Sequence, residues 1–77
     1  MSAVEPRLRE VFASVFGIDP ARLSPDASPA SIPEWDSVSH IQLFLAIEAE
    51  FDTEFDPDEI AGLAAFGAIQ QRLEAAT

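Results

Sequence analysis

The segment Asp36-Ser37-Val38-Ser39-His40 sets a hydroxyl nucleophile beside a carboxylate and three residues before an imidazole. The apolar pattern that follows predicts a helix from Ser37 to about Phe51, so Ser37 stands at a helix start. There, several backbone N–H groups have no intrahelical partner and the helix dipole is positive. A phosphate ester on the Ser37 hydroxyl would be stabilised by both. A plainer role is open to the same residue, because serine is a common helix N-cap worth ~1 kcal/mol.

Hydrolytic chemistry is disfavoured. Ser37 and His40 are neighbours on a helix surface, but Asp36 precedes the helix and should point away from the imidazole. The chain has no Gly-x-Ser-x-Gly elbow and no recognisable oxyanion hole. With 77 residues it could hardly enclose a pocket, so it is not expected to be an enzyme and no catalytic residue is assigned. His40 is expected half-buried at the edge of the core. Asp52, Glu54, Asp56 and Asp58 imitate the spacing of a calcium loop. Counted from Asp52, however, the required glycine and terminal acid are Pro57 and Leu63, so no metal site is assigned. The absence of cysteine removes disulfides, thiolate metal sites and any side chain able to form a stable thioester.

Charge narrows the partners. Fourteen acids face four arginines and no lysine, for a net −10, and residues 23–71 contain no basic residue apart from His40. Nucleic acid would be repelled, whereas partners with basic patches would be drawn in quickly. No apolar run is long enough for a membrane span and no export leader is visible, so a cytoplasmic monomer is expected. The length and Met1 suggest a free-standing protein of one domain, residues 1–77.

The elements that must position Ser37 follow from periodicity. Val4, Leu8, Val11, Phe12, Val15 and Phe16 predict an amphipathic helix over 4–16, with Pro6 in its first turn and Gly17 as its stop. Residues 17–36 hold four prolines and predict a long ordered loop, with a turn at Pro20-Ala21-Arg22 and anchors at Ile18, Leu23 and Ile32. Trp35 is expected to pack on that loop. In the second helix, Leu43, Phe44, Ile47 and Phe51 share a core face, while Val38, Ile41, Leu45, Glu48 and Asp52 share the opposite one. A helix apolar on two sides in so short a chain points to a binding face. Asp56-Pro57-Asp58-Glu59 predicts a capped short helix to about Ala61, ended by Gly62. Phe66, Ile69 and Leu73 predict a fourth helix over roughly 64–75, weakened by ~1 kcal/mol at Gly67. The expected fold is all-α, a small four-helix bundle with a long first loop.

The run Trp35-Asp36-Ser37-Val38-Ser39-His40-Ile41-Gln42-Leu43, followed by Ala46-Ile47-Glu48-Ala49-Glu50-Phe51, resembles the acyl carrier protein family, and the order of helices extends the resemblance over nearly the whole chain. The resemblance implies 4′-phosphopantetheine on Ser37, taken from coenzyme A by a phosphopantetheinyl transferase, with Asp36 helping to present the serine. It implies acyl cargo held as thioesters and passed between loading, condensing and acyl-transferring enzymes of fatty-acid, polyketide or other specialised biosynthesis. Val38, Ile41 and Leu45 would then dock those enzymes, and Glu48 and Asp52 would pair with their basic patches. Ser39, Gln42 and Ala49 stand where more acidic members carry acids, so docking is expected to lean on apolar contact. Leu43, Ile47, Phe51, Ile60, Leu63 and Phe66 would wall an acyl-chain pocket, and Ala46, Ala61, Gly62, Ala64 and Ala65 would let it open. Two alternatives remain: a peptidyl or aminoacyl carrier using the same arm, and an unmodified acidic adaptor for a basic partner. Glu34-Trp35-Asp36-Ser37 lacks the Gly-Gly-x-Ser lead-in of peptidyl carriers, which favours acyl cargo.

Overall fold

The stripe Val4, Leu8, Phe12 and Phe16 winds one side of a helix, α1 (Val4–Phe16), into the core. Gly17 then ends it in the left-handed conformation (φ 66°), where its N–H reaches the Ala13 carbonyl. A computed structural model describes residues 3–76; Met1, Ser2 and Thr77 lie outside them. Among the described residues the chain forms four α-helices and one 3₁₀ turn, with no strand. The helices are α1, α2 (Ser37–Phe51), α3 (Pro57–Gly62) and α4 (Phe66–Ala76), and α1 packs against both α2 and α4.

The long loop is ordered as its anchors require. Ile18, Leu23 and Ile32 are buried, joined by Ala27, and the expected turn is the 3₁₀ segment Pro20–Arg22. Arg9 reaches from α1 to the carbonyls of Pro20 and Leu23, and Arg22 pairs with Glu34 across the loop. The loop also finishes α4. The N–H groups of Phe66 and Gly67, which a helix start leaves unpaired, donate to Ala27 and Pro25 carbonyls at 2.9 and 2.8 Å. The helix therefore starts at Phe66, two residues later than its periodicity predicts. Gly67 is required there, because a Cβ would lie 2.6 Å from the Pro25 oxygen.

Trp35 shares the core with the loop anchors Ile18, Leu23, Ala27 and Ile32 and reaches beyond them to the helices. It is 2 % exposed and sits in the bundle core, its ring 5.2 Å from Phe12 and 5.6 Å from Phe16, centre to centre. From Phe12 an edge-to-face contact continues to Phe66. The core face of α2 is Leu43, Phe44 and Ile47. Phe51 is half-buried and covered by the Arg7 guanidinium, which also binds Glu50 at the end of α2. Helix α3 begins with the expected capping box, the Asp56 N–H donating to Glu59, and continues through Gly62. No residue of α3 is fully buried; Ile60 and Leu63 pack partly buried against the core.

Candidate functional site

The N-cap of α2 is Asp36, not Ser37. The Asp36 carboxylate accepts the Ser39 N–H at 2.8 Å, and its carbonyl accepts the first helical bond, from the His40 N–H. The reason is geometric: Asp36 has the extended backbone of a cap, and aspartate caps as well as serine does. The Ser39 N–H holds the Asp36 carboxyl below its ordinary pKa, so it is ionised at neutral pH. Ser37 is displaced to the first helical position, exposed, with no hydrogen bond to its hydroxyl among the described residues. A serine that caps would spend its oxygen on the backbone; this one keeps it free.

Trp35 and His40 lock that turn from below. With Asp36 as cap, they occupy the positions on either side of the first turn that form a hydrophobic staple, and their rings stack with centroids 6.1 Å apart. The indole N–H donates to His40 Nδ1 at 2.9 Å. Since indole nitrogen can only donate, Nδ1 is the acceptor and Nε2 carries the proton. Nε2–H in turn donates to the Ile60 carbonyl of α3 at 2.5 Å. His40 is half-buried, as expected, with both nitrogens occupied. Neither is left to activate Ser37, and the Asp36 carboxylate faces Ser39, so the three do not form a triad.

Beside Ser37 opens a groove of about 600 Å³ lined by Pro29, Trp35, Asp36, Ser37, His40, Ile41, Ala61 and Ala64. Pro29 and the wall role of His40 carry no periodic signal in the sequence. The staple spacing of Trp35 and His40 is such a signal, legible once Asp36 is taken as the cap. None of the six residues expected to wall an acyl pocket lines this groove. Leu43, Ile47 and Phe66 are at most 1 % exposed in the core, and Phe51, Ile60 and Leu63 pack around it.

The opposite face of α2 is uncovered. Val38, Ile41 and Leu45 are 67, 52 and 62 % exposed, and are the exposed large apolar side chains among the described residues. Leaving such a side chain in water forfeits about 1.5–3 kcal/mol of burial, so a contiguous stripe of three is costly to keep outside. Asp52, exposed at the end of α2, takes a left-handed conformation (φ 51°) that its short polar side chain tolerates. Glu48 is half-buried and accepts the Phe55 N–H at 2.8 Å, tying α2 to the segment before α3.

A family model described as a phosphopantetheine attachment site matches residues 6–73. An acyl carrier protein of Bdellovibrio bacteriovorus is 34 % identical over 59 residues, covering 77 % of this chain and 74 % of that relative.

Proposed function

The chain belongs to the acyl carrier protein family, whose prosthetic group is covalent 4′-phosphopantetheine, and from that membership we propose that Ser37 is the attachment residue. The observation that carries this reading is the exposed Ser37 hydroxyl, unengaged at the positive end of α2, with Asp36 doing the capping. These residues fit the group: the oxygen is free to become a phosphate ester, and the groove beside it leaves room for an arm. When attached, the arm supplies the thiol on which acyl groups ride as thioesters, in a chain that has no cysteine of its own.

The residues of this chain present and select. A transferase would remove the Ser37 proton while the hydroxyl oxygen bonds to the phosphorus of coenzyme A and its adenosine bisphosphate portion leaves. The Asp36–Ser39 bond and the Trp35–His40 staple hold the turn still during that encounter. Val38, Ile41 and Leu45 offer the transferase and acyl-handling enzymes an apolar stripe continuous with Ser37. Asp52 offers a carboxylate to basic residues on the partner, and Glu48 contributes the charge left after its bond to Phe55. Acyl cargo within fatty-acid, polyketide or other specialised biosynthesis is the reading for the pathway, supported by the lead-in Glu34-Trp35-Asp36-Ser37.

The test is intact-protein mass spectrometry after incubation with coenzyme A and a promiscuous phosphopantetheinyl transferase. Wild type is expected to gain one phosphopantetheine and Ser37→Ala none. A folded wild type that gains nothing with several transferases would return the reading to an unmodified acidic adaptor.

A further inference from the structure

We propose that His40 is a positioning residue that fixes where the cargo of this carrier rides: in the surface groove beside Ser37, outside the core. The inference rests on the attachment reading for Ser37. His40 forms a partition. Its ring lines the groove together with Trp35 and also lies against Phe44, which is 1 % exposed and does not line the groove, with ring centres 4.9 Å apart.

The partition is held at both nitrogens. Trp35 fixes it from the loop side, and the bond to Ile60 O fixes it to α3. That bond is the only hydrogen bond joining α2 to α3 among the described residues. Helix α3 buries no residue fully and is otherwise clasped to α4 through Glu59 and Arg72. It is the one α-helix among the described residues that buries no side chain fully, and so the one whose separation from α2 would open a way inward. His40 closes that way. Behind it Leu43, Ile47 and Phe66 fill the interior, whereas in front of it Pro29, Ile41, Ala61 and Ala64 give an apolar surface within reach of Ser37. An acyl chain tethered at Ser37 therefore meets the groove first and would have to break the His40–Ile60 bond to go deeper.

The experiment loads octanoyl-phosphopantetheine from octanoyl-coenzyme A onto wild type, His40→Ala and His40→Gln, with loading verified by mass. NMR then reads NOEs from the chain to side-chain methyl groups. In wild type, NOEs are expected to Ile41, Ala61 and Ala64, with none to Leu43 or Ile47. In His40→Ala they are expected to extend to Leu43 and Ile47. His40→Gln, whose amide can still donate to Ile60 O, is expected to keep the wild-type pattern. Chain NOEs to Leu43 or Ile47 in wild type would overturn the proposal, as would a folded His40→Ala indistinguishable from wild type. If His40→Ala does not fold, wild type and His40→Gln decide. Failure to load on folded wild type would instead sink the attachment reading, and this inference with it.

Discussion

At the level of single residues, the division of labour between Asp36 and Ser37 decides what the site can do. The cap bond belongs to Asp36, so Ser37 can be esterified without unfastening the helix start. Asp36→Ala should accordingly lower the melting temperature by a few degrees at neutral pH, measured by circular dichroism. The sign with pH follows from its lowered pKa. Its contribution is present above the unfolded value and lost as pH falls through the lower folded one, so wild type and mutant should converge below about pH 4. Equal melting temperatures at neutral pH would contradict the cap assignment. That a serine stands exposed in the first turn of α2 was legible in the sequence, because the apolar period opens directly after Asp36-Ser37. Which of two adjacent capping residues would cap was not, since both types serve and only the backbone of Asp36 decides. Nor was the bond from His40 to a carbonyl twenty residues away, which depends on where α3 comes to rest.

Among the elements, the loop before α2 does more than connect. It supplies Trp35 to the core and carbonyls to the start of α4, so the helix carrying Ser37 and the last helix are fixed by one segment. Gly67→Ala separates two effects. Helix propensity alone would favour alanine by ~1 kcal/mol. Contact of its Cβ with the Pro25 oxygen would force the loop away at a cost of about 1–3 kcal/mol. Urea denaturation is expected to show net destabilisation of about 1 kcal/mol; a gain would mean that the loop does not bear on α4. Helix α1 was legible with its end because a stop signal, Gly17, coincides with the end of its periodicity, and α2 because its apolar period runs out at Phe51. The start of α4 was not, because it is set by loop carbonyls forty residues earlier in the chain.

Across the whole molecule, charge and exposed apolar surface are unevenly distributed. All four arginines are engaged with acids of the same chain, as Arg7–Glu50, Arg9–Glu5, Arg22–Glu34 and Arg72–Glu59. The remaining acids, with Asp52 and Glu54 exposed at the end of α2, dominate the surface charge left over. Among the described residues no helix is long and apolar enough to cross a membrane. Transferase kcat/KM should therefore fall roughly tenfold between low and high ionic strength, as screening removes the steering. A salt-independent value would assign recognition to the apolar stripe alone. The acidic balance was readable from composition; that every arginine would be neutralised internally was not, because three of the four pairs join residues more than ten apart in sequence. Carrier function turns on the identity of the attachment residue. Its most direct test is tandem mass spectrometry of peptides from transferase-treated wild type, which must assign the phosphopantetheine to one of two nearby serines, Ser37 and Ser39. A fully modified Ser37 is expected, with an untouched Ser39, whose N–H is bound to Asp36 in the turn. Phosphopantetheine on Ser39, or its retention in Ser37→Ala, would contradict it.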